Sequence, residues 1–539
     1  MAETSRPLVR NQALALLLAF AAAMVVYSTW GGLDRPGLFH DEKAYLFQAR
    51  TYTTLHWTQP TPPVPELWEQ VHVFVEPRYA SKYPPGFPAV LALGAAVGLP
   101  GLIPILLAAG TAALLFVFGA RVVGRWPAFA ASALWVASPV NTTWRAAYFS
   151  ESLTCLLWLA WSWCAWTYRR DGGRRFLVAT SVLVVFAGIT RPVTGIALAA
   201  PLVWVLWPRL RAAAGRRDAV MAFAAGLALC AVVPVWNHAV LGSWRAVPYA
   251  AYSAHTFPFD MPGLRTDYSP PTRELPADLV ALADEQRAQY DQRSVARMPI
   301  EYVRRLDRLA ADALPPSLSA LRYVAPVGLL AAGGVGVAAL ASVLLLVLAH
   351  ITMPHTPNWT IYYLDVFPVV AFGVVVALMR GGAYVVARAR GVSLLQHADV
   401  AALASGIALL AAGATMWAPV KVERHGWMRR EVAFRAGLCA LPPGPKLVFV
   451  TPRPNSSPHH ILLDNDPAWR DSDVWVVRTW DVARHRALLE AAQGRAAYHY
   501  DEQNGWFAPM PADGAVPAPP GVLHVLQTDA RRGRGITCP

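Results

Sequence analysis

Charge is scarce in this chain: Asp, Glu, Lys and Arg make up only 15% of its 539 residues, where soluble proteins carry nearer a quarter. That deficit excludes an ordinary water-soluble enzyme. Cysteine is sparse too, with five in all, too few for a disulfide-built scaffold. Cys155, Cys164 and Cys230 lie in apolar runs as ordinary thiols. Cys439 and Cys538 bracket the polar C-terminal region and can pair if that region lies outside the cytoplasm. That region, residues 421–539, shows no Gly-rich phosphate loop, no metal-ligand spacing and no internal repeat.

What is abundant is apolar sequence. Hydrophobic residues reach 55% and the mean hydropathy is +0.34. Several apolar runs of roughly 15–22 residues are long enough to span or nearly span a bilayer, so the sequence specifies a polytopic α-helical membrane protein. The net charge of +13 does not point to nucleic acid, because the basic residues fall largely in short loops between apolar runs, as orientation signals do. Twenty-one Trp suit interfacial belts. The first run, Ala13 to Trp30, follows Arg6 and Arg10 and lacks a convincing small-residue cleavage site, so it is expected to stay as a span.

One parity choice puts Arg121/Arg125, Arg169/Arg170/Arg174/Arg175 and Arg209/Arg211/Arg216/Arg217 on one side. It requires 87–99 to be re-entrant or interfacial, and it gives about eleven spans with the N-terminus inside and the C-terminus outside. The expected module of residues 1–420 then has outer loops at 31–86 and 242–320. Lys43 to Thr54 is expected to be an amphipathic helix along the headgroups, and Leu279 to Leu314 a helix within the second loop. Gly333-Gly334 inside the apolar stretch 322–353 admits two short spans, and a last span is expected near 399–418. Residues 421–539 are expected to form a small α/β domain, with strands at 446–451, 474–479 and 522–528 and a helix at 482–492.

Chemistry-bearing residues gather in the outer loops. Asp41 and Glu42 follow span one. They suit either helix capping or a general base, and adjacent carboxylates on a helix point about 100° apart, so only one faces a substrate directly. Lys82-Tyr83-Pro84-Pro85-Gly86 offers an ammonium and a phenol to a phosphate, or else a snorkelling anchor and a chain stop. Arg145, Tyr148 and Glu151 lie in the polar loop 141–152, where Ser150-Glu151-Ser152 equally suits a cap. Arg191, in Thr190-Arg191-Pro192, is a membrane anchor or a phosphate ligand. His355 and Tyr362 open another span on the same side.

These landmarks in this order resemble the GT-C superfamily of integral-membrane glycosyltransferases, in particular the protein O-mannosyltransferase and aminoarabinose transferase group. The resemblance covers about residues 10–420 and rests on Asp41-Glu42, Lys82 through Pro88, Ser138-Pro139 with Arg145 and Tyr148 through Ser152, Thr190-Arg191-Pro192 and Tyr362 through Pro368. It implies a bacterial cytoplasmic-membrane enzyme. The implied donor is a polyprenyl-phosphate sugar, transferred with inversion on the outer face to a lipid, polysaccharide or protein acceptor. Family logic makes Asp41 the base and has Lys82, with Tyr83, Arg145 and Arg191, hold the donor phosphate. A divalent metal is admitted but not required. Ser81 departs from the acidic residue that aminoarabinose transferases carry before the loop lysine, and Tyr362-Tyr363-Leu364 departs from a common Arg-Tyr-Leu pattern. The competing class is a transporter or lipid-carrier flippase. It predicts repeated halves and midplane carboxylates, neither of which the sequence displays.

Overall fold

Between Arg10 and Trp30 the chain carries no charge and is rich in Ala and Leu, and it forms the long helix α1 (Arg6–Trp30). The computed structural model describes residues 6–30, 32–290, 294–388, 406–411, 428–453 and 462–518. After α1 come α2 (His40–Thr53) and the short α3 (Gly86–Ala95), then α4 (Leu102–Val123), α5 (Arg125–Ala137) and α6 (Pro139–Arg145). The bundle continues through α7 (Glu151–Asp171), α8 (Arg174–Gly188), α9 (Pro192–Leu210), α10 (Ala213–Cys230) and α11 (Val232–Leu241). A long loop holds α12 (Pro248–Thr256), α13 (Ala277–Tyr290) and α14 (Met298–Asp312). The bundle closes with α15 (Ala325–Ala331), α16 (Gly334–His350) and α17 (Phe367–Arg388).

Among the described residues, five helical stretches are long and apolar enough to cross a membrane: Asn11–Thr29, Leu102–Val123, Pro192–Leu210, Ala213–Leu241 and Thr360–Gly382. Large apolar side chains stand bare on three of them, with Phe20, Ile196 and Phe223 all more than half exposed. Hydrocarbon, rather than water, is the medium that accommodates such faces.

The short α3, ten residues long, stops far below bilayer thickness, in keeping with a re-entrant segment. Other expectations are corrected. The apolar stretch 322–353 does break at Gly333, whose φ of +73° favours glycine. The first piece, α15, has only seven residues and cannot span, and the second, α16, is an apolar helix of 17 residues, shorter than the five spanning stretches. The expected helix from Leu279 to Leu314 is split into α13 and α14, with Pro299 at the start of α14. The expected span near 399–418 lies mostly outside the described residues.

The C-terminal region begins with α18, a helix over 428–440. Its sheet contains β3 (Lys446–Thr451), β4 (Val474–Arg478), β5 (Ala496–Asp501) and β6 (Trp506–Pro509), after a small ribbon of β1 (Val73–Phe74) and β2 (Ala80–Ser81) earlier in the chain. The strand order is β4-β3-β5-β6, with β3 parallel to both neighbours and β6 antiparallel to β5. The crossover helix α19 (Val482–Ala491) starts at Asp481, whose carboxylate accepts the Arg484 amide at 2.8 Å. Cys439 is disulfide-bonded; Cys538 and the expected strand at 522–528 lie outside the described residues.

This sheet region rests on α2 and the first loop. Lys43 pairs with Glu431 at 3.0 Å, Arg50 with Asp464 at 3.0 Å, and Arg435 with both of those carboxylates at 3.0 and 2.9 Å. Arg478, buried on β4, donates to the Glu69 carbonyl at 2.6 Å and pairs with Asp278 of α13. The expectation that α2 lies along lipid headgroups therefore fails. Ten of its fourteen residues are buried, because the charges that would have faced water meet partners from α18 and its neighbours.

Candidate active site

Asp41 and Glu42 occupy the first turn of α2 and go to different fates. Glu42 is fully buried. It accepts the Leu38 and Phe39 amides at 2.9 and 3.2 Å, the Tyr148 amide at 2.8 Å and the Arg35 guanidinium at 3.0 Å. Arg35 in turn lies 3.6 Å from the Tyr148 ring centre, and the Tyr148 hydroxyl donates to the Arg35 carbonyl at 3.0 Å. Glu42 and Tyr148 thus belong to a buried clamp that fixes where α2 begins.

Asp41 points the other way, its side chain 31% exposed. His40 Nε2 lies 3.0 Å from one carboxylate oxygen and His72 Nε2 3.7 Å from the other, and the Tyr83 hydroxyl donates to Asp41. Burial would raise this carboxyl's pKa, but His40 and His72, with the Tyr83 hydrogen bond, outweigh it and hold the group well below the usual carboxylate range. Among the described residues, His40, Asp41 and His72 form a group whose metal-ligating atoms lie within 4.8 Å of one another.

Lys82 follows β2 and is buried at 1% exposure. Its ammonium lies 3.5 Å from Asp260 and 4.4, 5.1 and 5.5 Å from the ring centres of Tyr249, Tyr252 and Tyr83. Burial pulls the Lys82 pKa down and pushes that of Asp260 up, each partly resisted by the other's charge. Lys82 is thus a buried ammonium held by the faces of three tyrosines and by the charges of Asp260 and Asp41.

From Asp41 a chain of contacts runs along α2. Tyr83 stacks on Tyr45 at 4.4 Å, and the Tyr45 hydroxyl lies 3.0 Å from Ser150 Oγ. Ser150 donates to Glu151 at 3.3 Å, and Arg191 binds Glu151 and reaches Ser150 at 3.4 Å. Burial disfavours the Arg191 charge, yet Glu151, Asp365, Tyr45 and Tyr362 together hold its pKa above the usual value. A Cβ added to Gly86 would collide with Thr190 Oγ1, so the Lys82 loop and the Arg191 turn are packed in direct contact.

The remaining residues singled out from the sequence lie elsewhere. Arg145 turns into the bundle, over the Trp135 ring at 4.0 Å, and donates to the Val136 and Asn141 carbonyls at 3.3 Å. Carbonyls of α5 and α6 and the Thr142 hydroxyl take its Nε and Nη2 donors, while its Nη1 is buried with no hydrogen-bond partner among the described residues. His355 accepts or donates with Tyr363 at 3.0 Å and stacks on Tyr362 at 4.6 Å, forming a separate cluster whose link to the cleft is the Arg191 field. Sequence reasoning missed His40, His72, Tyr45, Asp260, Tyr249 and Tyr252. His40 alone carried a signal, its position next to Asp41.

No protein-family profile matches the chain, and no curated protein matches it. Among solved structures, ArnT from Cupriavidus metallidurans in the apo state is similar at 13% identity and TM-score 0.53, over 93% of this chain and 94% of that one. The same protein bound to undecaprenyl phosphate matches at 14% identity and TM-score 0.51, over 90% and 92%. The archaeal oligosaccharyltransferase AglB from Archaeoglobus fulgidus, in complex with an inhibitory peptide and a dolichol-phosphate, gives 12% identity and TM-score 0.43, over 81% and 62%. The fold of this chain is similar to that of ArnT over nearly the whole length of both.

Proposed function

We propose that this protein is a membrane glycosyltransferase that moves a sugar from a polyprenyl-phosphate donor to an acceptor hydroxyl, with inversion, at the extracytoplasmic face of the bacterial inner membrane. The observation that carries the reading is the juxtaposition of one accessible, strongly ionised carboxylate, Asp41, with the caged ammonium of Lys82, joined through Tyr83. Loops 31–86 and 242–320 with residues 421–539 make up the extracytoplasmic side.

In the reaction the acceptor oxygen attacks the anomeric carbon as the carbon–oxygen bond to phosphate breaks, and Asp41 takes the acceptor proton. The donor is a phosphodiester with one charge, and the departing polyprenyl phosphate gains a second. Lys82 stabilises that added charge where it develops, displacing its pairing with Asp260. A depressed pKa makes Asp41 a weak base. Proton transfer therefore falls late, after the attacking oxygen has become acidic. A largely apolar cavity of about 440 Å³ between α4, α7, α9, α16 and α17 is lined by Trp158, Leu159, Leu202, Val369 and Phe372, with Arg169 and Arg170 at its end toward the expected cytoplasmic side, and offers room within the bundle for a prenyl chain. Binding of undecaprenyl phosphate by the similar ArnT is in keeping with this donor class.

The test is transfer from a labelled polyprenyl-phosphate sugar by reconstituted protein, wild type beside Asp41→Asn. Loss of turnover by about a hundredfold or more with donor binding retained is expected for removal of a general base. Near-normal turnover in Asp41→Asn, or movement of lipid across the bilayer without bond cleavage, refutes the proposal.

A further inference from the structure

Four buried polar atoms without a hydrogen-bond partner belong to residues that line one small cavity in the bundle: Arg145 Nη1, Trp135 Nε1, Ser152 Oγ and Asn141 Oδ1. None of these residues is more than 6% exposed. The cavity, about 10 Å³ in volume, lies where α4, α5, α6, α7 and the turn Thr360–Val366 meet, with Leu107, Cys155 and Leu364 in its walls. That is room for one water-sized sphere. Orphaned polar groups are rare in protein interiors, and four around one chamber call for an occupant.

Charge decides what the occupant is. The partners of Arg145 Nε and Nη2 are carbonyls and a hydroxyl, none of them charged. The buried carboxylates of neighbouring segments are engaged elsewhere, Glu42 by Arg35, Glu151 by Arg191 and Asp365 by Thr154. Burial pulls the Arg145 pKa from an ordinary 12.5 to about 9, resisted only by Cys155. A buried cation without a counter-charge is costly. Three of the four orphaned groups can donate, and Asn141 Oδ1 is the one pure acceptor.

We propose that this chamber binds a single chloride ion as the counter-charge of Arg145. A halide accepts from the guanidinium, the indole and the Ser152 hydroxyl together, whereas a water molecule leaves the charge unbalanced. The Cys155 thiol, in the same wall, is a donor of the type that Asn141 Oδ1 requires. The ion ties α4, α5, α6 and α7 together beside residues 148–151, where the Tyr148 amide holds Glu42 and Glu151 holds Arg191. Its role is positioning, and the site stands whether or not the transferase reading does.

The experiment exchanges full-length protein in detergent into sodium gluconate and titrates it with sodium chloride at constant ionic strength. Tryptophan fluorescence reads the apparent melting temperature. A saturable rise of about 2–5 °C is expected, with none in sodium sulfate. Hydrogen–deuterium exchange should slow in chloride within residues 135–155. Ser152→Ala removes one donor and keeps the cation, so half-saturation should need about tenfold more chloride. Arg145→Gln should abolish the response; if that variant does not fold, the exchange pattern and the Ser152→Ala shift decide. No saturable response, as for a chamber that holds only water, overturns the proposal. So does an equal response to sulfate, or a chloride response that Ser152→Ala leaves unchanged.

Discussion

Asp464→Asn is a sharp test of how the C-terminal region holds α2 in place. The Asp464 carboxylate is 6% exposed and is paired with Arg50 of α2 and Arg435 of α18. Burial raises its pKa, but Arg50, Lys43 and Arg435 overcome that and bring it from an ordinary 3.8 to about 2. At about 1.4 kcal/mol for each tenfold change in ionisation, that difference is worth about 2 kcal/mol. The near-isosteric amide removes this contribution and leaves two guanidiniums facing each other. Local opening of α2 and α18 should become about thirtyfold more populated, which hydrogen–deuterium exchange at pH 7 reads directly. Because the folded-state pKa is the lower one, the stabilisation is present above about pH 4 and is lost as the pH falls through about 2. The melting-temperature gap between wild type and variant should therefore shrink to about half by pH 3. Unchanged exchange in α2, or a gap that stays constant from pH 7 to pH 3, would refute the reasoning.

Two further outcomes are expected. Glu42→Ala leaves Arg35 buried without its carboxylate, at a cost of about 3–5 kcal/mol, so folded protein should fail to accumulate on size-exclusion chromatography; a stable, inactive Glu42→Ala would return that carboxylate to the chemistry. Because Asp41 is held well below the ordinary 3.8, it stays ionised throughout acidification from pH 7 to pH 5. An acid limb with a midpoint above 5 that shifts in Asp41→Glu would place its ionisation in that range and contradict the electrostatics.

The parts of this site that are legible in the sequence are those set by chain entry and exit at the membrane. Asp41 and Lys82 stand where apolar runs give way to loops, and α3 is visibly too short to span. The pair Asp41-Glu42 was readable as a pair but not as a division of labour. That division depends on Arg35 and the Tyr148 amide, contributed from both sides of α2 by tertiary folding. The charge and loop position of Arg145 are plain in the sequence, but its turn inward over the Trp135 ring depends on packing between α5 and α6. His72 and Asp260 carry no local pattern at all. One is aimed by a left-handed backbone, the other reaches Lys82 from the second long loop, and neither is a matter of periodicity or composition. The burial of α2 was equally hidden, because its partners Glu431 and Asp464 come from nearly four hundred residues downstream.

Asp41 and Tyr45 are four residues apart on α2, so just over one helical turn, a rise of about 6 Å, separates the residue bearing the carboxylate from the ring that leads to Ser150, Glu151 and Arg191. Backbone hydrogen bonds keep that interval fixed, the Glu42 clamp anchors its start, and the stacked Tyr83 ring bridges its length. The helix is in effect a ruler between a carboxylate and a guanidinium cluster. On the proposed function, a substrate that engages both ends would be measured against it.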